Sequence, residues 1–322
     1  MSEGEKIVTF FLWNINGRSG TNCQGIPVRL IVDQIDEKNP DIVVLTEMAK
    51  CVPGYCELMT CLEEMNYKVF CSKYIPHQNQ VLIAVNRNMH LETDAFIVHE
   101  IDATEYKGKE CEKAKENETE ELKVSTIENI PDYLQIEFDY SENHIAVVGC
   151  RMTTGDPDLR KNYDDESVQF YDVLLPEIEK IKADYVIVCG DFNNAKKRDD
   201  YSGCAQVNHN WHKIKSCAQV NHNWHKIKNS FETKGFCMLD ENIDCTFWYG
   251  STKIPNDHIF CKGKITREEA KKSCKVSDFD FVKCQYGYLE NEGKSNLPEV
   301  LKIASKEGLP DHDIVTASID IQ

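Results

Sequence analysis

The sequence predicts an α/β protein in which strands and helices mix without a regular alternation. Short apolar runs such as Lys6–Trp13 and Ile42–Leu45 end in polar residues, a pattern typical of strands buried on both faces. The irregular order of the predicted elements argues against a dinucleotide-binding sheet and against an eightfold barrel. Between the two runs, apolar residues recur every three to four positions, as on one face of a helix, at Val28, Ile31, Val32 and Ile35.

The other elements of the first half follow in chain order. Asn39-Pro40-Asp41 ends the first helix, because the residue before a proline disfavours helical geometry. A second helix is predicted from the spacing of Leu58, Leu62 and Met65. Three short strands are predicted at Val69–Cys71, Val81–Val85 and Phe96–Val98.

In the second half of the chain, the sequence predicts one long helix and several strands. The helix runs from Val168 to Ile181, and Pro176 should kink it. Two strands precede it, at Tyr133–Phe138 and Ile145–Val148, and Tyr185–Cys189 follows it. The last third predicts four further strands at Phe247–Tyr249, Ile259–Cys261, Phe279–Val282 and Ile314–Ile319.

Composition narrows the class of protein. The 322 residues carry 37 Lys and Arg against 54 Asp and Glu, a net charge of −17, and 41% are hydrophobic. These values fit a single globular domain over residues 1–322 and exclude collagen, coiled coil and wholesale disorder. The acidic balance argues against a protein that grips long duplex DNA, so local cations or metal ions must hold any anionic substrate.

Sequence features also predict where the protein works. No apolar run approaches the ~18 residues of a membrane span, and the polar N-terminus does not fit a signal peptide. The 15 cysteines are odd in number and form no CxxC pair, which favours reduced thiols in the cytoplasm. The five-residue spacing of Cys51, Cys56 and Cys61 leaves a metal or redox site as the alternative. Nothing in the sequence indicates an obligate protein partner.

Two segments interrupt the predicted domain. Residues near 103–123 form an acidic insertion, in which Glu105–Glu121 holds seven Glu and four Lys without an apolar period, so we expect a solvated, mobile segment. A tandem duplication covers residues 204–229, with twelve identical residues at Cys204–Lys215 and Cys217–Lys228. Thirteen residues turn a helix face by about 220°, so we expect one copy to form an exposed loop. The histidine pairs of the copies leave metal binding open as the alternative to a surface duplication: His209 with His212, and His222 with His225.

Polar side chains stand at the ends of five predicted strands, where α/β proteins place their sites. Turn preference explains each Asp or Asn alone, but not their recurrence at five strands. The candidates are Asn14 and Asn16, Glu47, Asp191 and Asn193, Asp257, and Asp311 with His312.

The residue types fit metal-assisted work on a phosphate ester. Glu47 and Asp311 are hard oxygen ligands suited to Mg²⁺, with Mn²⁺ as the alternative ion. Asp191 can orient or deprotonate a water molecule. The neutral side chains of Asn14 and Asn193 can donate hydrogen bonds to a phosphate without repelling it.

A histidine next to a carboxylate supplies the remaining chemistry. His312, paired with a carboxylate such as Asp257, can act on a phosphoryl oxygen or as a general acid or base.

The ordered motifs resemble those of the endonuclease/exonuclease/phosphatase superfamily, which has the deoxyribonuclease I-like fold. The resemblance covers nearly the whole chain, from Lys6 to Ile319. It implies a four-layered sandwich of two packed mixed β-sheets flanked by helices, and metal-dependent hydrolysis of a phosphate ester. The motifs are WNING at Trp13–Gly17, PDIVVLTE at Pro40–Glu47, GDFN at Gly190–Asn193, NDHIF at Asn256–Phe260 and PDHD at Pro310–Asp313.

The resemblance also implies roles for individual residues. Glu47 corresponds to the family's metal-binding Glu, and Asp257 to the acid that braces the terminal histidine. Asp191 and Asn193 match the pair that positions the attacking water and the phosphate. The remaining matches are Asn14 near metal and phosphate, Asn16 as the polar residue two positions on, and Asp311 with His312 as the terminal pair.

Three departures leave the subfamily open. Ala49 stands where abasic-site endonucleases of the exonuclease III type usually have Lys, and Pro310 replaces the common Ser. Arg151 ends the strand Ile145–Cys150 where many members carry His or Tyr. Because a guanidinium can bind a phosphate through two parallel hydrogen bonds, Arg151 is predicted to contact the substrate.

These observations predict a Mg²⁺-dependent phosphoesterase that hydrolyses a phosphodiester, as a nuclease acting on DNA or RNA. A phosphatase or phosphodiesterase of a small or lipid-linked phosphate is the first alternative. A catalytically inactive binding protein on the same fold is the second, and a metal-dependent turnover assay separates it from both enzymes.

Overall fold

In the computed structural model, most predicted strands lie in two six-stranded sheets that pack face to face. The structure describes residues 6–16, 26, 28–75, 78–89, 91–112, 124–153, 165–193, 217–243, 246–249, 252–265, 274–276, 310 and 312–322. Within these ranges no helix is long and apolar enough to span a bilayer.

The first sheet has the strand order β15-β16-β1-β2-β4-β3. Its strands β1 and β2 are parallel and its other neighbours are antiparallel. The bounds are β1 Ile7–Asn14, β2 Ile42–Met48, β3 Tyr67–Cys71, β4 Gln80–Asn86, β15 Cys274–Val276 and β16 Val315–Asp320.

The second sheet has the order β11-β14-β10-β9-β8-β5, in which only β9 and β10 are parallel. Its strands are β5 Ile97–His99, β8 Asp132–Tyr140, β9 Asn143–Arg151, β10 Tyr185–Asp191, β11 Cys237–Met238 and β14 Asp257–Lys262. Two small ribbons lie outside the sheets, formed by β6 Glu110–Glu112 with β7 Val124–Thr126 and by β12 Phe247–Tyr249 with β13 Thr252–Ile254.

Helices cover the outer faces of both sheets. Helices α1 (Val28–Lys38) and α2 (Tyr55–Glu64) pack on the first sheet. A π-helical turn at Gln169–Leu174, helix α4 (Leu175–Lys180) and helix α5 (Cys217–Thr233) pack on the second. The result is the expected four-layered sandwich, and the predicted fold is confirmed. The structure also contains a 3-10 turn at Arg87–Met89 and helix α3, Ala103–Tyr106.

Each central strand alternates between two buried layers. In β1, Phe10 and Leu12 face the space between the sheets, whereas Phe11 and Trp13 face the helices. Because both faces of the strand are covered, no position favours a polar residue, and the sequence reads as a continuous apolar run.

Two expectations about individual segments need revision. The start of the acidic insertion is folded rather than mobile, because Asp102 caps α3 and Tyr106 is buried. The predicted kink takes the form of the π-helical turn, which ends where α4 begins with Pro176 in its first turn. Residues 113–123, the first copy of the duplication and the predicted strand Phe279–Val282 lie outside the described residues.

Candidate active site

Four neighbouring strands of the second sheet each contribute one charged residue to a single row. Arg151 on β9 is in register with Asp132 on β8 and with Asp191 on β10, and Asp191 is in register with Asp257 on β14. Residues in register on adjacent strands point to the same face of a sheet. All four side chains therefore point toward the space between the two sheets, at its end.

At one end of the row, Asp257 binds His312. Asp257 Oδ2 lies 2.6 Å from His312 Nδ1, and both side chains are buried. Thr246 Oγ1 accepts the backbone N–H of Asp257 at 3.1 Å, and Trp13 Nε1 donates to the His312 carbonyl oxygen at 2.9 Å. These contacts fix the pair from two sides, and they leave the imidazole Nε2 directed at the site.

Asn14, at the end of β1, connects His312 to Asp191. Its Nδ2 donates to Asp191 Oδ2 at 2.9 Å and lies 3.5 Å from His312 Nε2. Its Oδ1 accepts the backbone N–H of Asn16 at 3.0 Å, which fixes the orientation of the amide. Asn14 therefore joins residues from the first sheet and the second sheet in one hydrogen-bonded cluster.

Asp191 is oriented by the loop that follows it. The backbone N–H of Asn193 donates to Asp191 Oδ1 at 2.8 Å, and Asn193 Nδ2 donates to the Met152 carbonyl oxygen at 2.7 Å. Gly190 is required before Asp191, since a Cβ there would lie 1.7 Å from the Cys150 carbonyl oxygen. The Gly-Asp-x-Asn sequence thus sets the position of one carboxylate.

Glu47 reaches the site because β2 is irregular at its end. The pairing of β2 with β4 shifts between Leu45 and Met48, and Glu47 has a φ of 57°. In the regular part of β2, Val43 and Leu45 face the helices, so uninterrupted alternation would point Glu47 away from the site. The bulge turns the side chain instead toward Arg151.

Arg151 forms ion pairs with carboxylates from both sheets. Its Nε and Nη2 lie 2.9 and 2.7 Å from Glu47 Oε1, and its Nη1 lies 3.4 Å from Asp132 Oδ2. Only 12% of the Arg151 side chain is exposed. Arg151, which the sequence predicts to contact the substrate, is therefore engaged in internal ion pairs in the structure.

Burial and negative charge shift the titration of these groups. Burial and the nearby Asp257 carboxylate raise the pKa of Asp191 to about 6. Burial raises the pKa of Asp132 to about 7, although Arg151 acts in the opposite direction. Burial alone lowers the pKa of Arg151, but Glu47, Asp132 and Asp191 together hold it above its usual range. The site thus carries more negative charge than its own cations balance.

The donor set fits a divalent cation that keeps most of its water. In the described part of the chain no three His, Cys, Asp or Glu side chains come together as a metal centre. Mg²⁺ needs only one or two carboxylates besides water and substrate oxygens. Glu47 supplies one such carboxylate, and Asp257 Oδ1 is a buried oxygen that accepts no hydrogen bond from the described residues.

The structure brings together most of the predicted site residues and adds one. Asp132 was not predicted, because Pro131-Asp132 before an apolar run is ordinary for a strand start and only the β8–β9 register reveals its neighbour. Asp311 lies outside the described residues, so its predicted role stays a prediction. The residues that converge are Asn14, Asn16, Glu47, Arg151, Asp191, Asn193, Asp257 and His312.

The chain belongs to the Endonuclease/Exonuclease/phosphatase family, whose profile matches residues 11–277. The predicted superfamily is therefore confirmed, and the protein is a hydrolase that acts on phosphate esters. Enzymes of this family generally use divalent metal ions. No curated protein matches the sequence.

Solved structures with the same fold span nearly the full chain at low sequence identity. An AP endonuclease from Archaeoglobus fulgidus is 15% identical, with a TM-score of 0.53, and covers 98% of this chain and 100% of its own. D. rerio TDP2 humanized by 14 mutations is 13% identical, with a TM-score of 0.53 and coverages of 97% and 98%. An endonuclease/exonuclease/phosphatase from Beutenbergia cavernae is 13% identical, with a TM-score of 0.55 and coverages of 98% and 72%.

Proposed function

We propose that the protein is a Mg²⁺-dependent phosphodiesterase that cleaves DNA or RNA. The observation that carries this proposal is the buried cluster in which Asn14 contacts both Asp191 and His312, while Asp257 holds the imidazole. Such a cluster offers a carboxylate for a water molecule and an imidazole for a phosphoryl oxygen at one point. A purely structural cluster has no need of an imidazole Nε2 directed at a carboxylate-rich site.

The residues divide the hydrolysis between them. Asp191, oriented by the Asn193 N–H, takes up a proton as water attacks phosphorus. The ester P–O bond breaks, and the leaving oxygen keeps the electron pair and takes a proton from solvent water. His312 binds the phosphoryl oxygen through Nε2, and the Asp257 carboxylate stabilises the positive charge of its imidazole. Asn14 and Asn16 keep these groups aligned.

Glu47 and Asp311 are the proposed metal ligands. A bound Mg²⁺, or Mn²⁺ in its place, supplies positive charge that offsets the developing negative charge on the phosphoryl group. Burial first, and then the Asp257 and Glu47 carboxylates, raise the pKa of Asp191, and a cation beside these carboxylates would favour its ionised form.

A short or single-stranded nucleic acid fits the charge better than a long duplex. At a net charge of −17, the protein lacks the overall attraction on which duplex binding depends. D. rerio TDP2, a structural neighbour, has been solved with a single-strand DNA product. We further infer a cytoplasmic protein from the cysteine content.

A phosphatase acting on a terminal phosphate is the second candidate. The observation in its favour is the likeness to a Neisseria 3′ phosphatase bound to a DNA hairpin product, at 15% identity and a TM-score of 0.50. A monoester places two negative charges in the site, so it should depend on Arg151 more strongly than a diester does.

A substrate panel tests the proposal. Single-stranded DNA, duplex DNA, RNA, a 3′-phosphorylated oligonucleotide, an inositol phosphate and bis(4-nitrophenyl) phosphate are incubated with Mg²⁺, with Mn²⁺ and with EDTA. We expect metal-dependent cleavage of a single-stranded oligonucleotide and of the nitrophenyl diester. Release of inorganic phosphate alone favours the phosphatase, and no turnover of any substrate indicates the inactive binding protein.

A matched pair of histidine variants guards against a contaminating enzyme. His312→Ala removes the proposed phosphate-binding imidazole. His144→Ala removes a histidine that also pairs with carboxylates, Glu137 and Asp139, but on the opposite end of β9. Loss of activity in His312→Ala, with wild-type activity in His144→Ala, shows that the measured turnover belongs to this protein and depends on His312.

A further inference from the structure

We propose that Asp132 is a positioning residue that holds the Arg151 guanidinium ready for a substrate phosphate. The inference rests on the proposed function and extends it to a carboxylate that hydrolysis itself does not use. Within the described residues, Asp132 is the only acid of the charged row that forms a hydrogen bond with neither Asn14 nor His312.

Arg151 lies between two carboxylates with different tasks. Nε and Nη2 of Arg151 both face Glu47, at 2.9 and 2.7 Å from its Oε1. These two nitrogens form the edge of the guanidinium that can bind an anion through two hydrogen bonds. Nη1 faces Asp132 Oδ2 at 3.4 Å. Glu47 therefore occupies the edge that a phosphate would use, whereas Asp132 holds the opposite nitrogen.

Asp132 is fixed more firmly than Arg151. Its side chain is 2% exposed, and its backbone is in register with Arg151 along the β8–β9 pair. A carboxylate so enclosed cannot turn to solvent, so it remains beside Nη1 whatever the other partner does. This makes Asp132 the permanent partner and Glu47 the exchangeable one.

Glu47 can release Arg151 to a substrate phosphate because of its proposed role as a metal ligand. A carboxylate that serves as a metal ligand accepts weaker hydrogen bonds from a guanidinium, since its lone pairs and charge are shared. Arg151 then has Nε and Nη2 available for an anion, and a buried guanidinium without any counter-charge would be costly. Asp132 keeps Arg151 buried and in place for the substrate.

The direction in which Asp132→Asn changes KM separates a positioning role of Asp132 from a simple charge effect. If Asp132 were only one more negative charge near an anionic substrate, Asp132→Asn would lower KM by reducing repulsion. If it positions Arg151, the same change raises KM, by about three- to tenfold, with kcat changed less than about twofold. Bis(4-nitrophenyl) phosphate with saturating Mg²⁺ is the probe.

A double-mutant cycle shows whether the effect passes through Arg151. In an Arg151→Ala background, Asp132→Asn should leave KM unchanged within about twofold, because there is no guanidinium to position. A residue that is merely structural would lower Tm and act in both backgrounds alike. Asp139→Asn is the matched control, since it removes the same charge from the far end of β8, where Asp139 contacts His144.

Binding of Mn²⁺ to the metal-free protein gives a readout without turnover. In Asp132→Asn, Glu47 is the only remaining carboxylate that pairs with Arg151, so Arg151 competes more strongly with the ion for Glu47. Calorimetry should therefore show weaker Mn²⁺ binding than in the wild type. The loss should be larger with Arg151 present than in the Arg151→Ala background, where only the lost charge acts.

The outcomes are distinguishable. A wild-type enzyme that turns over the diester, with KM unchanged or lowered in Asp132→Asn, overturns the role of Asp132 and leaves the proposed function intact. Equal effects of Asp132→Asn in both Arg151 backgrounds, together with a fall in Tm, also overturn it. A wild-type protein that hydrolyses no phosphodiester contradicts the proposed function, and the role of Asp132 falls with it.

Discussion

Asp191 and Asp257 stand directly opposite each other on the antiparallel strands β10 and β14, with both side chains buried. Asp257 shares its negative charge with His312 at 2.6 Å, whereas Asp191 receives hydrogen bonds from the neutral groups Asn14 Nδ2 and Asn193 N–H. Burial and the Asp257 carboxylate raise the pKa of Asp191 to about 6, although His312 and Arg151 act in the opposite direction.

The first prediction concerns stability and pH in the metal-free protein. The pKa of Asp191 is 3.8 for an unperturbed side chain and about 6 in the fold, so between these values the folded state binds more protons than the unfolded state. The contribution of Asp191 to the free energy of unfolding therefore decreases as pH rises through this window, by up to roughly 3 kcal/mol. Asp191→Asn removes the titration.

Urea denaturation in EDTA measures this contribution as a difference between two proteins. The unfolding free energy of the wild type minus that of Asp191→Asn should decrease from about pH 4 to about pH 7. The substitution also changes hydrogen bonds, but that contribution to the unfolding free energy does not vary with pH and so does not affect the slope of the difference against pH. A difference that stays flat or rises with pH means that the carboxylate is not destabilised by its surroundings.

The second prediction compares the two members of the Asp257–His312 pair. His312→Ala removes the group proposed to contact the phosphoryl oxygen and should lower kcat/KM by about 10²–10⁴-fold. Asp257→Asn keeps the imidazole but weakens its support, so it should lose less, about ten- to a hundredfold. Circular dichroism checks that both variants fold. Full activity in His312→Ala removes this histidine from the mechanism.

The third prediction concerns the metal. Glu47→Gln keeps the size of the side chain but removes its charge, so the Mg²⁺ concentration that gives half-maximal activity should rise at least about tenfold, and kcat should fall. Glu64→Gln, at the last residue of α2, is the control and should match the wild type. Activity that withstands both EDTA and Glu47→Gln contradicts the assignment of Glu47 as a ligand.

The apolar pattern of the sequence predicted strands that are buried on both faces, whereas the four layers were implied by the family resemblance. Phe10 and Leu12 face one layer and Phe11 and Trp13 the other, so the uninterrupted apolar run of β1 is a direct consequence of burial on both faces. The order of strands within each sheet was not predicted, since periodicity does not say which strands are neighbours.

The composition of the site was predicted better than its contacts. Asn14, Asp191 and Asp257 end or begin buried strands, and residues at strand ends can be located from the apolar runs. The bulge that redirects Glu47 leaves no mark in the sequence, because a Glu with positive φ is unusual and is set by tertiary contacts. The ion pair between Glu47 and Arg151 joins residues from different sheets and was equally invisible.

The fourth prediction concerns the duplication, whose second copy forms most of α5. Trp224 stacks on His258 at 4.1 Å, and Trp224, Ile227 and Phe231 are buried on one face of the helix. The first copy has Trp211 and Ile214 at the positions of Trp224 and Ile227. The residue thirteen positions before Phe231, however, is Ala218. Only the second copy therefore brings the phenylalanine that stacks on Phe260, at 4.1 Å between ring centroids.

Deleting either copy should give the same protein. The chain that lacks residues 204–216 and the chain that lacks residues 217–229 differ at one position, just before Ser230. The former has Asn229 there, and the latter has Ser216. Both should fold with a Tm within about 2 °C of the wild type and of each other, because every buried position of α5 stays filled. Trp224→Ala in the full-length chain should instead cost about 3–5 kcal/mol, since it empties a site in the core. Loss of folding in both deletions, or loss of a bound metal ion, would instead give the repeated segment a structural or metal-binding role of its own.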